Sequence, residues 1–149
     1  MSTEVKPTKP VNVYISYASR DEYFKEKLLS HLSTLQRQGA IESWDIQQIR
    51  AGDKRDEETL KHLNEANIIL CLLSADFMSS DYHHTVEMQR AFERQKLGEL
   101  EVIPILLRPV QWQQTSFYKL QAIPRNEKPI TSWLDRDKAF TEVAQEVAR

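Results

Sequence analysis

Glycine is scarce in this chain: 149 residues contain only Gly39, Gly52 and Gly98. Neither a dinucleotide fingerprint nor a phosphate-cradling P-loop can be written from three isolated glycines, which excludes ordinary dinucleotide-redox and NTPase readings. Cysteine is scarcer still. Cys71 stands alone inside an apolar run, so neither a disulfide framework nor a multi-cysteine metal site can form within one chain, and a reducing, cytoplasmic compartment is expected. Charge of one sign is also missing, since 20 Lys and Arg against 22 Asp and Glu leave a formal −2. Nothing in that balance draws the chain to nucleic acid or to an anionic membrane. No apolar stretch approaches the ~20 residues that span a bilayer. Met1 to Pro10 is polar and proline-bearing, without the apolar core of a signal peptide, and is expected to be a disordered leader.

With 40 % apolar residues, the remaining 11–149 has the length and composition of one compact domain. Its helical pattern through Phe140, Val143, Ala144 and Val147 reaches Arg149 without a glycine stop, which reads as the N-terminal domain of a longer protein. Val11 to Ser16 has the composition of a strand. Ser19 and Glu22 have capping-box spacing, and Phe24, Leu28, Leu32 and Leu35 then form one apolar helical stripe ending at Gly39. Ile41 to Ile49 is a weak strand candidate around Trp44, followed by a loop at Arg50-Ala51-Gly52-Asp53. From Asp53 to Ala66 the pattern is helical, with Leu60 and Leu63 inward and acidic residues in the first turns, where the helix dipole favours them.

Ile68 to Leu73 is an unbroken apolar run of strand length, the mark of a central strand buried on both faces. Tyr82 to Lys96 spaces as a helix. Val102 to Leu107 is a further strand, in which Pro104 argues for an edge, an end or a bulge because proline cannot donate to a ladder. Gln111 to Leu120 is irregular or helical, Pro129 to Ser132 a fifth short strand, and Asp137 to Arg149 the last helix. Strands alternating with helices predict an α/β, flavodoxin-like three-layer sandwich: a central five-stranded parallel sheet with helices on both faces. In that order the switch point lies between the first and third strands, which brings Ser16 to Arg20 and Ser74 to Glu87 to one crevice.

His83, His84, Glu87 and Ala91 fall on one face of the helix that follows this crevice. A carboxylate there lies beside the end of a central strand, so Glu87 is the leading site residue. The alternative is an exposed helix glutamate paired with Arg90 or Arg94, which composition alone favours. His83 and Glu87 have the spacing to share a metal, but His31 and His62 belong to other helices and no second ligand pair is visible, so no metal site is expected. A response-regulator receiver would need an acidic pair after the first strand, where Ser16-Tyr17 stands.

Several blocks, in order, resemble the Toll/interleukin-1 receptor (TIR) domains of the bacterial, effector-associated kind. Val13-Tyr14-Ile15-Ser16-Tyr17 with Asp21 is similar to that family's first box. Trp44 through Ile49-Arg50-Ala51-Gly52-Asp53 resembles its BB loop. Leu73-Ser74-Ala75-Asp76-Phe77 followed by Glu87-Met88 resembles its loop and catalytic helix, and Ile103 to Val110 and Ile130-Thr131-Ser132-Trp133 its later strands. The likeness runs from about Val11 to the end.

The resemblance implies an NAD+ glycohydrolase of bacterial immunity or signalling that cleaves the nicotinamide–ribose bond on oligomerisation, with NAD+ as substrate and no cofactor. It places the catalytic role on Glu87. Substrate contacts are expected from Tyr17, Ala18, Trp44, Asp45, Arg50, Ser80, Tyr82 and His83, and self-association through Ile49, Ala51, Gly52 and Asp53. The implied partners are other TIR domains, as a homo-oligomer or filament, and a sensor domain in the same full-length chain. One carboxylate suffices for such chemistry, because nicotinamide departs as a neutral molecule and needs no general acid, unlike a glycosidic leaving group. The alternative within the same family is a non-catalytic scaffold acting only through TIR–TIR assembly.

Overall fold

The apolar run at the centre of the chain dictates the layering. In β3 (Ile68–Leu73), Leu70 and Leu72 face one buried cluster and Ile69, Cys71 and Leu73 the other, so both sides of the strand need cover. The computed structural model, which describes residues 9–80 and 87–148, supplies that cover as helices on each side of a parallel sheet.

In chain order the elements are β1 (Val11–Ser16), α1 (Glu22–Arg37), β2 (Ile41–Trp44), α2 (Arg55–Glu65), β3, α3 (Ala75–Met78), α4 (Met88–Lys96), β4 (Glu101–Leu106) and α5 (Arg136–Val147). Among the described residues, the sheet has four strands in the order β2-β1-β3-β4, all parallel. On one face, Leu28 and Leu32 of α1 and Phe140 and Val143 of α5 pack on Ile15, Leu70, Leu72 and Ile105. On the other, Leu63 of α2, Phe77 of α3 and Met88 and Ala91 of α4 pack on Tyr14, Ile69, Cys71 and Leu73.

The expected fifth strand is not formed. Ile130–Ser132 is a 3-10 turn that buries Ile130, and its link to the sheet is Thr131 N–H to the Leu107 carbonyl at 3.0 Å. Beside β4 lies Ile123 instead, which exchanges bonds with Leu106 (2.8 Å) and Pro104 (3.0 Å) as a single bridge. The ladder stops because Arg125, whose N–H would make the next rung, donates to Glu142 Oε2 at 3.0 Å. Pro104 sits within β4, the edge of the four-stranded sheet, and its carbonyl faces Ile123. In a strand, a residue's N–H and C=O point to the same side, so the missing donor faces outward and costs no rung to β3.

Smaller differences have local causes. The capping box is absent: Ser19–Asp21 is a 3-10 turn, and the Asp21 side chain turns inward rather than capping α1. Gly39, at φ +75°, ends α1 as expected. β2 stops at Trp44, and Ile46–Gln48 is a 3-10 turn capped by Asp45. In α2 the inward face is Thr59 and Leu63, four apart, which leaves Leu60 39 % exposed. Tyr82, His83 and His84, in the predicted helix start, lie outside the described residues.

Candidate functional site

A cleft of about 760 Å³ opens at the C-terminal end of β1. Its lining comes from the end of β1 and the following turn (Ser16, Tyr17, Ala18, Arg20), the turn after β2 (Ile46, Gln47, Ile49), the first residue of α2 (Arg55), and Asp76, Ser80 and Glu87. This is the switch point of the sheet, since β1 lies between β2 and β3.

Glu87 is only 3 % exposed. Strand alternation puts Tyr14 and Ser16 on the same face of β1, the face that α4 covers, and both hydroxyls converge on the carboxylate. Ser16 Oγ donates to Oε1 at 2.8 Å and Tyr14 Oη donates to Oε2. The surface-glutamate reading is thereby overturned. Arg90 is engaged with Asn64 and Glu93, and Arg94 binds the Leu63 and Ala66 carbonyls and Glu99. Cys71 lies opposite Ser16 on β3, and burial first, then the Glu87 carboxylate, push its thiol well above the usual range. A reactive thiolate is thus disfavoured there.

Tyr17 points to the other side of the sheet. Its hydroxyl donates to Asp45 Oδ1 at 3.4 Å, and burial, followed by Asp45, pushes its pKa up to about 12. Asp45 is itself buried and bonded to the Gln47 N–H at 2.9 Å and to Lys25 Nζ at 3.2 Å.

Of the residues singled out in the sequence, Tyr17, Ala18, Ile49, Ser80 and Glu87 come together at the cleft. Trp44 does not join them: its indole lies flat on His62 of α2, with centroids 4.3 Å apart and planes at 9°, and beside the Tyr14 ring at 5.2 Å. The register accounts for this, because Trp44 is paired with Tyr14 and shares its α2-facing side. Asp45 lies behind the cleft wall, and Arg50 is exposed and outside the cleft lining, its backbone N–H bonded to Asp53 Oδ2 at 3.0 Å. Ala51, Gly52 and Asp53 are exposed on that loop. Tyr82 and His83 are outside the described residues. Given no individual role beforehand are Tyr14 and Ser16, which bind Glu87, and, on the lining, Arg20, Ile46, Gln47, Arg55 and Asp76. The i, i+2 spacing of Tyr14 and Ser16 on β1 is a signal that could have found the first two. Among the described residues, no group of His, Cys, Asp and Glu is arranged to hold a metal, and no helix is long and apolar enough to cross a membrane.

An α/β domain with a parallel sheet and a cleft at its switch point defines the class, and the chain belongs to the TIR-domain family. The family model described as TIR domain matches residues 13–143. The chain is 48 % identical over 136 residues to the uncharacterized protein y4lF of Sinorhizobium fredii, covering 91 % of this chain and 42 % of that protein. It therefore spans less than half the length of that relative. Its fold is similar to the TIR domain of the Toll-related receptor TRR-2 from Hydra magnipapillata, with TM-score 0.61 and 19 % identity over 92 % of this chain and 98 % of that one. It is also similar to the TIR domains of the activated Roq1 resistosome directly recognizing the pathogen effector XopQ. There the TM-score is 0.55 at 21 % identity, over 91 % and 84 % of the two chains. At these identities the structural likeness is one of fold.

Proposed function

We propose that this TIR domain is an NAD+ nucleosidase of a bacterial immune or signalling protein, which cleaves the nicotinamide–ribose bond when copies of the domain assemble. The observation that carries this reading is a buried glutamate, Glu87, oriented by two hydroxyls on the lining of a cleft. The cleft's volume falls within the ~300–1,000 Å³ typical of small-molecule sites.

In this reading the ribose of NAD+ lies against Glu87. As the C–N bond to nicotinamide stretches, positive charge builds on the ribose, and the fixed, buried carboxylate stabilises it. Nicotinamide leaves neutral, taking the bonding pair to its ring nitrogen, and a water or another acceptor completes the ribosyl carbon. Ser16 and Tyr14 hold the carboxylate in place, so little reorganisation is needed as charge develops.

A scaffold function is the second reading, and the observation favouring it is the exposed run of residues 50–55 at the cleft rim. One of the similar structures is itself a resistosome. We assign Ile49, Ala51, Gly52 and Asp53 to self-association in either case, and a sensor domain in the same protein would drive it; the greater length of y4lF is consistent with a further domain. Forced clustering of the chain on a multivalent support, with nicotinamide release measured beside a Glu87→Ala control, separates the readings. Turnover that disappears in the control supports the enzyme, and no turnover by the clustered wild type favours the scaffold.

A further inference from the structure

Lys25 is 1 % exposed, an unusual position for a lysine, and it does not line the cleft. Its ammonium reaches Asp45 at 3.2 Å and the exposed Glu26 at 2.7 Å, and lies 5.3 Å from the centre of the Tyr17 ring. Burial works to discharge it, but the Glu26 hydrogen bond and Asp45 outweigh burial and raise its pKa, so the cation persists. A buried ion pair is weak evidence of a stabilising role, because apolar residues of similar volume often serve as well.

The partner's contacts indicate what the pair holds. Asp45 lies at the junction of β2 and the Ile46–Gln48 turn, where its carboxylate accepts the Gln47 N–H and its carbonyl the Gln48 N–H at 3.0 Å. The same carboxylate accepts the Tyr17 hydroxyl. Tyr17, Ile46 and Gln47 all line the cleft that Glu87 also lines.

We infer that Lys25 is a positioning residue: its buried charge anchors Asp45, and through Asp45 it fixes the Tyr17 ring and the Ile46–Gln48 turn as a rigid wall of the cleft. The inference that this wall receives substrate rests on the NAD+ reading above. The anchoring itself does not.

Two measurements on Lys25→Met and Lys25→Arg separate these layers. The first is amide hydrogen exchange. In Lys25→Met, the Gln47 and Gln48 amides exchange at least about tenfold faster while β1 and β3 amides keep their wild-type rates, as local opening requires, and Lys25→Arg restores protection. Unchanged turn amides, or acceleration spread equally over the sheet, would overturn the inference. The second is nicotinamide release by clustered protein, in which Lys25→Met raises KM about tenfold with kcat changed less than about threefold. An unchanged KM in a folded variant whose wild type turns over NAD+ overturns the substrate-wall role. Absence of turnover in wild type sinks the NAD+ reading, and with it that role, leaving the exchange result to judge the anchor. If Lys25→Met fails to fold because Asp45 is left buried and unpaired, Lys25→Met/Asp45→Asn replaces the pair with a neutral one. Faster turn exchange in that double variant supports the anchor, and wild-type protection overturns it.

Discussion

Arg108 Nε donates to Asp21 Oδ1 at 2.6 Å, and the other oxygen of the same fully buried carboxylate accepts the Ser74 hydroxyl, also at 2.6 Å. Residues following β1, β3 and β4 are thereby tied at the end of the sheet where the cleft opens. The Arg108 guanidinium also lies over the Phe24 ring of α1 at 5.0 Å.

Asp21→Ala removes both bonds and leaves the Ser74 hydroxyl without its acceptor, although Ser74 Oγ still accepts the Phe77 N–H. Breaking a wholly buried pair costs ~3–5 kcal/mol, but Arg108 can turn to water, so about 2 kcal/mol is expected here. Arg108→Ala should also destabilise, because it leaves the Asp21 carboxylate buried with only Ser74. Urea unfolding midpoints measure both, and a wild-type midpoint for Asp21→Ala would rule out this tie as a source of stability.

Tyr17 gives a pH dependence with a definite sign. Its pKa is about 12 in the folded protein against a usual 10, so at high pH the unfolded chain releases this proton first. The native state then binds more protons than the unfolded state, and stability falls as pH rises. Tyr17's contribution is fully present below pH 10 and is lost between pH 10 and about 12. Denaturation series across that window should fall less steeply for Tyr17→Phe than for wild type. Equal slopes would remove Tyr17 as the cause.

Gly52 tests the exposed loop. Its φ is +93°, and an added Cβ meets no atom within 4 Å, so the conformation alone opposes a side chain. Gly52→Ala should cost about 1 kcal/mol through strain in the left-handed region. Gly52→Pro, whose ring holds φ near −65°, should distort residues 50–53 and reduce assembly. Light scattering on the clustered state checks the second effect, and a melting curve the first.

How far the sequence could be read depended on what each residue's environment decides. Ile68 to Leu73 announces a central strand because every position is apolar, whereas Pro104 leaves an edge, an end or a bulge open, and the sheet order makes it an edge. Ile130 is equally apolar, but a core residue on a short segment can be buried by a turn as well as by a strand. Leu60, expected inward, is exposed and Thr59 is buried, because one residue of helical rotation, set by where α2 begins, decides which faces inward. At the site, the convergence of the β1 and β3 ends follows from topology. The placement of Trp44 against His62 depends on strand register, and the burial of Lys25 depends on where Asp45, twenty residues further along the chain, falls. Local pattern carries neither.

Tyr14 and Glu87 together allow the most discriminating substitutions. Glu87→Gln keeps the size of the side chain and removes the negative charge on which the proposed transition state depends. One such electrostatic contact is typically worth ~10²–10³ in rate, so nicotinamide release by clustered protein should fall at least about a hundredfold. Folding should be retained, because the amide oxygen can still accept one hydroxyl in a site that no longer needs to shelter an ion. Tyr14→Phe leaves the charge and the ring beside Trp44 in place and removes one donor from the carboxylate. It should slow turnover by only about tenfold, the scale of one hydrogen bond to a charged group. Rates are compared under identical clustering, with near-ultraviolet circular dichroism confirming that the aromatic packing around Tyr14 and Trp44 is intact. A folded Glu87→Gln protein that releases nicotinamide as fast as wild type would falsify the catalytic assignment. If Tyr14→Phe lost as much activity as Glu87→Gln, catalysis would rest on the hydroxyl as much as on the carboxylate.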